Sequence, residues 1–303
     1  MPYRYYTADV FTDQIFGGNP LAVFPDARAI DPEQMQHIAR EFNLSETVFV
    51  LPPEQGGTRR LRIFTPQVEL PFAGHPTVGT AFVLAAIGDI SLTGERTEIV
   101  FEEGVGPVPV TVEARNSQPV SCTLSAAQMP EYGPEPPAAA DLAAVLSLET
   151  RAIAAPARAI SCGVPFLFVP ITNLDALGRI RLELTQWQRV LGGAWASMIF
   201  AFVVGADPER ADYLRARMFA PSVGVLEDPA TGSAVTALAG YLALEDPLVH
   251  GTCSYLVEQG VEMGRPSFLN LQYDLQDGQL TAIRVGGRVV LVSKGEFGPG
   301  TRP

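Results

Sequence analysis

Alternation of apolar and polar positions dominates the chain, and two long apolar runs interrupt it. Short alternating or β-branched stretches at residues 3–10, 21–24, 47–51, 61–65, 98–102, 108–114 and 120–125 predict strands in the first half. Stretches at 152–161, 166–171, 198–204, 213–219, 253–259, 267–275, 280–285 and 288–292 predict strands in the second. The runs at 78–87 and 235–244 are apolar on every side, the pattern of a helix buried all round. Asp31-Pro32 supplies a cap and a first-turn proline, predicting a helix to Phe42, and weaker patterns predict helices over 139–146 and 182–191. Asp277-Gly278 and Gly286-Gly287 read as hairpin turns. Residues 126–140 carry Pro130, Gly133, Pro134, Pro136 and Pro137 and mark the junction between an N-terminal half, 1–128, and a C-terminal half, 129–303. The last strands are left open to pack back on the first half. The expected class is α+β: two halves, each a mostly antiparallel sheet around one central helix.

The two buried helices share their approach. Arg62-Ile63-Phe64-Thr65-Pro66 precedes Phe72-Ala73-Gly74-His75-Pro76-Thr77, with Pro76 expected at the first helical position. Arg217-Met218-Phe219-Ala220-Pro221 precedes Asp228-Pro229-Ala230-Thr231-Gly232-Ser233-Ala234. Both are Arg-apolar-Phe-small-Pro followed by a glycine at a helix start, about half the chain apart. This predicts one supersecondary unit used twice. Each helix N-terminus offers free N–H groups and a positive dipole end, which favour an anion.

Composition narrows the chemistry. Of 303 residues, 47% are hydrophobic and 18% charged, enough to bury a core in each of two domains. The net charge of −12 argues against nucleic acid and anionic membrane as partners. Three widely spaced cysteines, Cys122, Cys162 and Cys253, fit reduced thiols in the cytoplasm better than a disulfide framework. The first residues lack a basic stretch followed by an apolar one, so no secretory leader is expected, and the longest apolar run, 194–206, is too short to span a bilayer. The three histidines, His37, His75 and His250, have no ligand spacing, and nucleotide-binding, phosphate-loop and serine-elbow motifs are missing. Neither metal nor cofactor is expected.

The chemistry then falls to carboxylates, a histidine and backbone amides. Glu46 stands directly before an apolar strand, where it is either a solvated loop carboxylate or a partly desolvated proton carrier. His75 is either a structural imidazole or a hydrogen-bonding group at a helix start. Asp228 and Ser233 read equally as turn and capping residues, a role compatible with an anion site. If the halves face each other, both helix starts converge on one cleft that would take a small acid and shift a proton on the adjacent carbon.

Four ordered segments carry a resemblance: Gly17-Gly18-Asn19-Pro20, Asn43-Leu44-Ser45-Glu46-Thr47, Phe72-Ala73-Gly74-His75-Pro76-Thr77 and Asp228-Pro229-Ala230-Thr231-Gly232-Ser233-Ala234. Together they resemble the phenazine-biosynthesis PhzF-like isomerases over nearly the whole chain. The resemblance implies the diaminopimelate-epimerase-like fold, a homodimer and no cofactor. It also implies a reaction that moves a proton within the ring of trans-2,3-dihydro-3-hydroxyanthranilate. By that resemblance Glu46 is the acid/base, His75, Asp228 and Ser233 hold the substrate's polar groups, and Gly74 and Gly232 are the backbone positions at the helix starts. Epimerases and racemases of this fold place a cysteine at each of those two starts. Here both are glycine, which disfavours two-thiol chemistry. A racemase using Glu46 with a second base, and a non-catalytic small-acid-binding protein, are the alternatives.

Overall fold

The computed structural model describes residues 2–207, 209–245 and 248–298. It divides into one compact unit of Met1–Ala127 with Gly286–Pro303 and another of Gln128–Val285.

The first unit contains strands β1 (Tyr3–Val10) and β2 (Asn19–Phe24), helix α1 (Pro32–Phe42), then β3 (Glu46–Leu51), β4 (Arg59–Phe64) and the short β5 (Glu69–Leu70). Helix α2 (Gly74–Ala86) follows, and then the meander β6 (Arg96–Glu103), β7 (Gly106–Arg115) and β8 (Gln118–Ser125). β1 and β2 are antiparallel, β2 runs parallel to β3, β3 is antiparallel to β4, and β4 runs parallel to β6. Helix α2 buries every residue from Gly74 to Ala85, as an all-apolar helix must. It approaches the sheet closely at Gly79, where a Cβ would lie 2.5 Å from Leu21 Cδ2. The α1 start behaves as its sequence demands: Asp31 caps the Glu33 N–H and Pro32 opens the first turn.

The second unit contains β9 (Glu131–Tyr132), α3 (Ala139–Val145), β10 (Arg158–Ser161), β11 (Pro165–Pro170), α4 (Leu174–Arg179) and α5 (Leu184–Leu191). It continues with β12 (Met198–Val204), β13 (Tyr213–Ala220), β14 (Val225–Asp228), α6 (Gly232–Glu245), β15 (Gly251–Gln259) and β16 (Ser267–Gln276). Its pairing repeats that of the first unit. β10 and β11 are antiparallel, β11 runs parallel to β12, β12 is antiparallel to β13, and β13 runs parallel to β15. α6 packs on β10, β11 and β16, and is buried from Ala234 to Leu242.

The repeated Arg-apolar-Phe motif has one structural job in both units. Arg62 on β4 forks onto both carboxylate oxygens of Glu69 on β5, at 2.7 Å each, and lies 5.0 Å over the Phe64 ring. Arg217 on β13 forks onto Glu227 on β14 at 2.8 and 2.9 Å and lies 5.0 Å over the Phe219 ring. In each case the guanidinium ties together the hairpin that delivers the chain to the buried helix. The two halves are pseudo-symmetric in motif, pairing and side-chain contacts.

Several elements differ from the sequence expectation. Residues 152–157 are not strand; Thr150–Ala152 is a 3-10 turn and the strand starts only after Pro156, at Arg158. Pro76 stands third in α2 rather than first, which costs nothing because all first-turn N–H groups lack intrahelical partners. Asp277-Gly278 is a tight turn with both residues at positive φ, but Gly286-Gly287 is not a turn. One strand, β17 (Gln279–Phe297), runs straight through it. A Cβ on Gly286 would lie 2.3 Å from Thr123 Oγ1 and 2.5 Å from the Cys122 carbonyl oxygen. The glycine therefore marks a close approach to β8, not a reversal. Gly286→Ala is expected to destabilise the protein by about 1–3 kcal/mol, read as a lower denaturation midpoint in urea.

Candidate active site

In the first unit the site grows from the ends of α1 and α2. Asn43 closes α1 in the left-handed conformation (φ 51°), its N–H returning to the Ala39 carbonyl. The chain then re-enters the sheet at Glu46, the first residue of β3, opposite Leu21 on β2. His75, the second residue of α2, is only 3% exposed. Its Nε2 lies 3.1 Å from Glu46 Oε2, and the Glu46 side chain retains 14% exposure. Burial pushes the His75 pKa down to about 3, so the ring is neutral at physiological pH even beside a carboxylate. A neutral imidazole adds no positive charge beside the carboxylate. Glu46 is thus mostly buried yet keeps some exposure, unlike a solvated loop glutamate.

The α2 start leaves backbone donors uncapped by side chains. Its N-cap is Ala73, in extended conformation, and no side chain caps the helix. Pro76 has no N–H, and the Thr77 N–H is taken by the Ala73 carbonyl at 3.2 Å. Within the first turn, the Gly74 and His75 amides have no partner among the described residues.

In the second unit Asp228 ends β14 and is 7% exposed. Its setting depends on two residues that the sequence did not single out. Gln259, at the end of β15, is fully buried. Its Oε1 accepts from the Thr231 N–H at 3.1 Å, which fixes which way the amide points. Its Nε2 donates to the Asp228 carbonyl at 2.6 Å and to Thr231 Oγ1 at 3.0 Å. The Thr231 hydroxyl proton is then free only for Asp228 Oδ2, 2.5 Å away. A backbone amide thus sets the direction of the whole chain of bonds, and Asp228 is cast as acceptor. Gly260 lets β15 come this near: a Cβ there would be 2.6 Å from the Pro229 carbonyl oxygen. Gly232 and Ser233 open α6, with Ser233 half-buried in the first turn. Glu46 and His75 are brought into contact, as are Asp228 and the Thr231 beside Gly232. Thr231 lay inside a quoted motif, whereas Gln259 had no local signal, since its partners are about thirty positions away.

The family model for phenazine biosynthesis-like proteins matches residues 8–295. The chain belongs to the PhzF family. It is 40% identical to an uncharacterized isomerase of Mesorhizobium japonicum over 97% of this chain and 98% of that one. It is 35% identical to a trans-2,3-dihydro-3-hydroxyanthranilate isomerase of Pseudomonas aeruginosa, again over 97% and 98%. Among solved structures, a Bacillus anthracis phenazine biosynthesis protein of the PhzF family superposes with a TM-score of 0.86 at 25% identity, covering 98% of this chain and 99% of that one. A hydroxyproline epimerase from Agrobacterium vitis, 12% identical with a TM-score of 0.63, shares the fold, covering 98% of this chain and 92% of its own. The fold is diaminopimelate-epimerase-like, and this PhzF-family protein is an isomerase.

Its thiols lie on elements other than the two helix starts. Cys122 lies on β8, Cys253 on β15, and Cys162 just after β10, all buried. Burial raises the Cys122 thiol and pushes Cys162 up to about 12, so neither is a thiolate near neutral pH. A groove of about 720 Å³ on the first unit, lined by Tyr3, Arg4, Tyr6, Arg28 and Asp89 among others, contains none of the site residues. Among the described residues no helix is long and apolar enough to cross a membrane.

Proposed function

We propose that this PhzF-family isomerase shifts a proton within a small carboxylate, of the trans-2,3-dihydro-3-hydroxyanthranilate type, with Glu46 as the proton carrier. The observation that carries the reading is the mostly buried Glu46 carboxylate held 3.1 Å from a neutral His75 beside an uncapped helix start. Glu46 takes a proton from one ring carbon, and the electrons of that C–H bond form a new double bond. The existing double bond shifts along the ring, and the protonated Glu46 returns its proton to the carbon that gains electrons. Atoms and charge balance with no oxidant and no cofactor. In the first unit the Gly74 and His75 amides bind the substrate's carboxylate. A homodimer in the cytoplasm completes the reading.

The relatives that bear this enzyme name, 35% and 36% identical, support that substrate class. The test mixes purified protein with trans-2,3-dihydro-3-hydroxyanthranilate and follows the absorbance of its conjugated diene, in H2O and in D2O. Loss of the diene signal, with deuterium at the newly protonated carbon, is the expected result. An unchanged diene would sink this substrate. Deuterium uptake at a stereocentre with the diene intact would make the protein an epimerase instead.

A further inference from the structure

Beneath the α2 start lies a buried carboxyl group that the proton shift does not use. Glu103 ends β6, and its carboxylate is buried. The turn that follows is pinned to the segment entering α2. Val105 N–H donates to the Pro71 carbonyl at 3.2 Å, and a Cβ on Gly104 would fall 2.8 Å from Pro71 Cα. Thr77 Oγ1 lies 2.7 Å from Glu103 Oε1 and 2.8 Å from the Ala73 carbonyl oxygen. A hydroxyl has one proton, and the Ala73 carbonyl can only accept. If Thr77 serves Ala73, Glu103 must donate to Thr77. Among the described residues, the other Glu103 oxygen, Oε2, is buried with no hydrogen-bond partner. That is tolerable for a carbonyl oxygen and costly for half of an ionised carboxylate.

We propose that Glu103 is a positioning residue that donates through Thr77 to the Ala73 carbonyl and so polarises the Ala73–Gly74 peptide, strengthening the Gly74 N–H as a donor to the substrate's carboxylate. The inference rests on the anion-binding role given to Gly74 above. Hydrogen bonds in series strengthen one another, and this series ends on the peptide whose N–H faces the ligand. Burial agrees, pushing the Glu103 carboxyl up to about 8.

The other charged groups around it are spoken for. On α2, His75 does not titrate above about pH 3. On β4, Arg59 pairs with Asp89, Arg60 with Glu54 and Arg62 with Glu69. Beside it on β6, Glu102 accepts from the backbone amides of Glu54, Gln55 and Gly57. β3 contributes Glu46, and β7 contributes Glu113 and Arg115 toward its far end.

The test follows the Gly74 amide by 1H–15N NMR of the ligand-free protein from pH 6 to 9.5. In wild type its shift should move in one step with a midpoint near 8. In Glu103→Gln, which keeps a donor but cannot ionise, the step should vanish. It should also vanish in Thr77→Val, which keeps Glu103 but cuts its link to Ala73. A Gly74 signal that stays fixed in wild type, or moves equally in Glu103→Gln, overturns the proposal. Calorimetry with anthranilate at pH 7 addresses the binding role separately. Absence of heat alongside an intact Gly74 step would sink the carboxylate reading while leaving the relay established.

Discussion

Glu46→Gln is expected to lower turnover about 10²–10⁴-fold while leaving the fold and ligand binding nearly unchanged. Glutamine matches glutamate in shape and can still meet the His75 ring, so the β3 start keeps its geometry. It cannot take a proton from carbon. The neighbouring imidazole is no substitute, because a ring with a pKa near 3 is a weak base. The same fact fixes the sign of a pH effect. Wild-type activity should show no inflection near pH 6.5, where an ordinary histidine titrates. The comparison is kcat for both proteins with the diene substrate, beside their thermal midpoints. If the variant keeps kcat within about threefold, or if activity drops through a pKa near 6.5, the assignment of Glu46 and His75 fails.

Arg217→Met should be the most destabilising single change in the hairpin motif, at about 3–5 kcal/mol. Arg217 is 6% exposed and holds more than its carboxylate. Its Nη1 also donates to the Leu177 and Ile180 carbonyls at the end of α4, at 3.0 and 3.1 Å. Removing it takes that donor from both carbonyls, leaving Leu177 only the Ile180 N–H, and leaves Glu227 as an uncompensated charge directly before Asp228. The matching change in the first unit provides the control. Arg62 and Glu69 make the same fork, but their side chains are 22% and 42% exposed, so water takes over when the pair is lost. Arg62→Met should cost only about 0–1 kcal/mol. Urea unfolding of both variants checks the difference, and equal costs would refute the burial argument.

The chain made its architecture readable because the fold repeats. A five-residue pattern seen twice was enough to pair the halves, and the structure gives that pattern one function, an Arg–Glu fork over a phenylalanine. The candidate residues stand in short local segments, His75, Asp228 and Ser233 near a glycine that opens a helix and Glu46 at the start of a strand. What escaped was non-local. Gln259 and Glu103 look like ordinary strand-end residues in sequence, and each acquires its role from a threonine on another element. Gly286-Gly287 misled for the converse reason. A glycine pair carries the same local signal whether the backbone must turn or another strand must come close, and only the position of Thr123 distinguishes them. Small elements such as α4 and β14 also went unseen, being too short for a periodicity to register.

The course of β17 bears on how the protein is made. β1 pairs with β17 in the register Val10 opposite Val289, so β1 finds that partner only after every element between them has been made. At ~5–20 residues per second that delay is on the order of tens of seconds. Throughout it, β1 presents an open edge on the side that β17 will cover, the kind of surface that recruits foreign strands. Nascent chains of this protein should therefore depend on chaperones more than its final stability would imply.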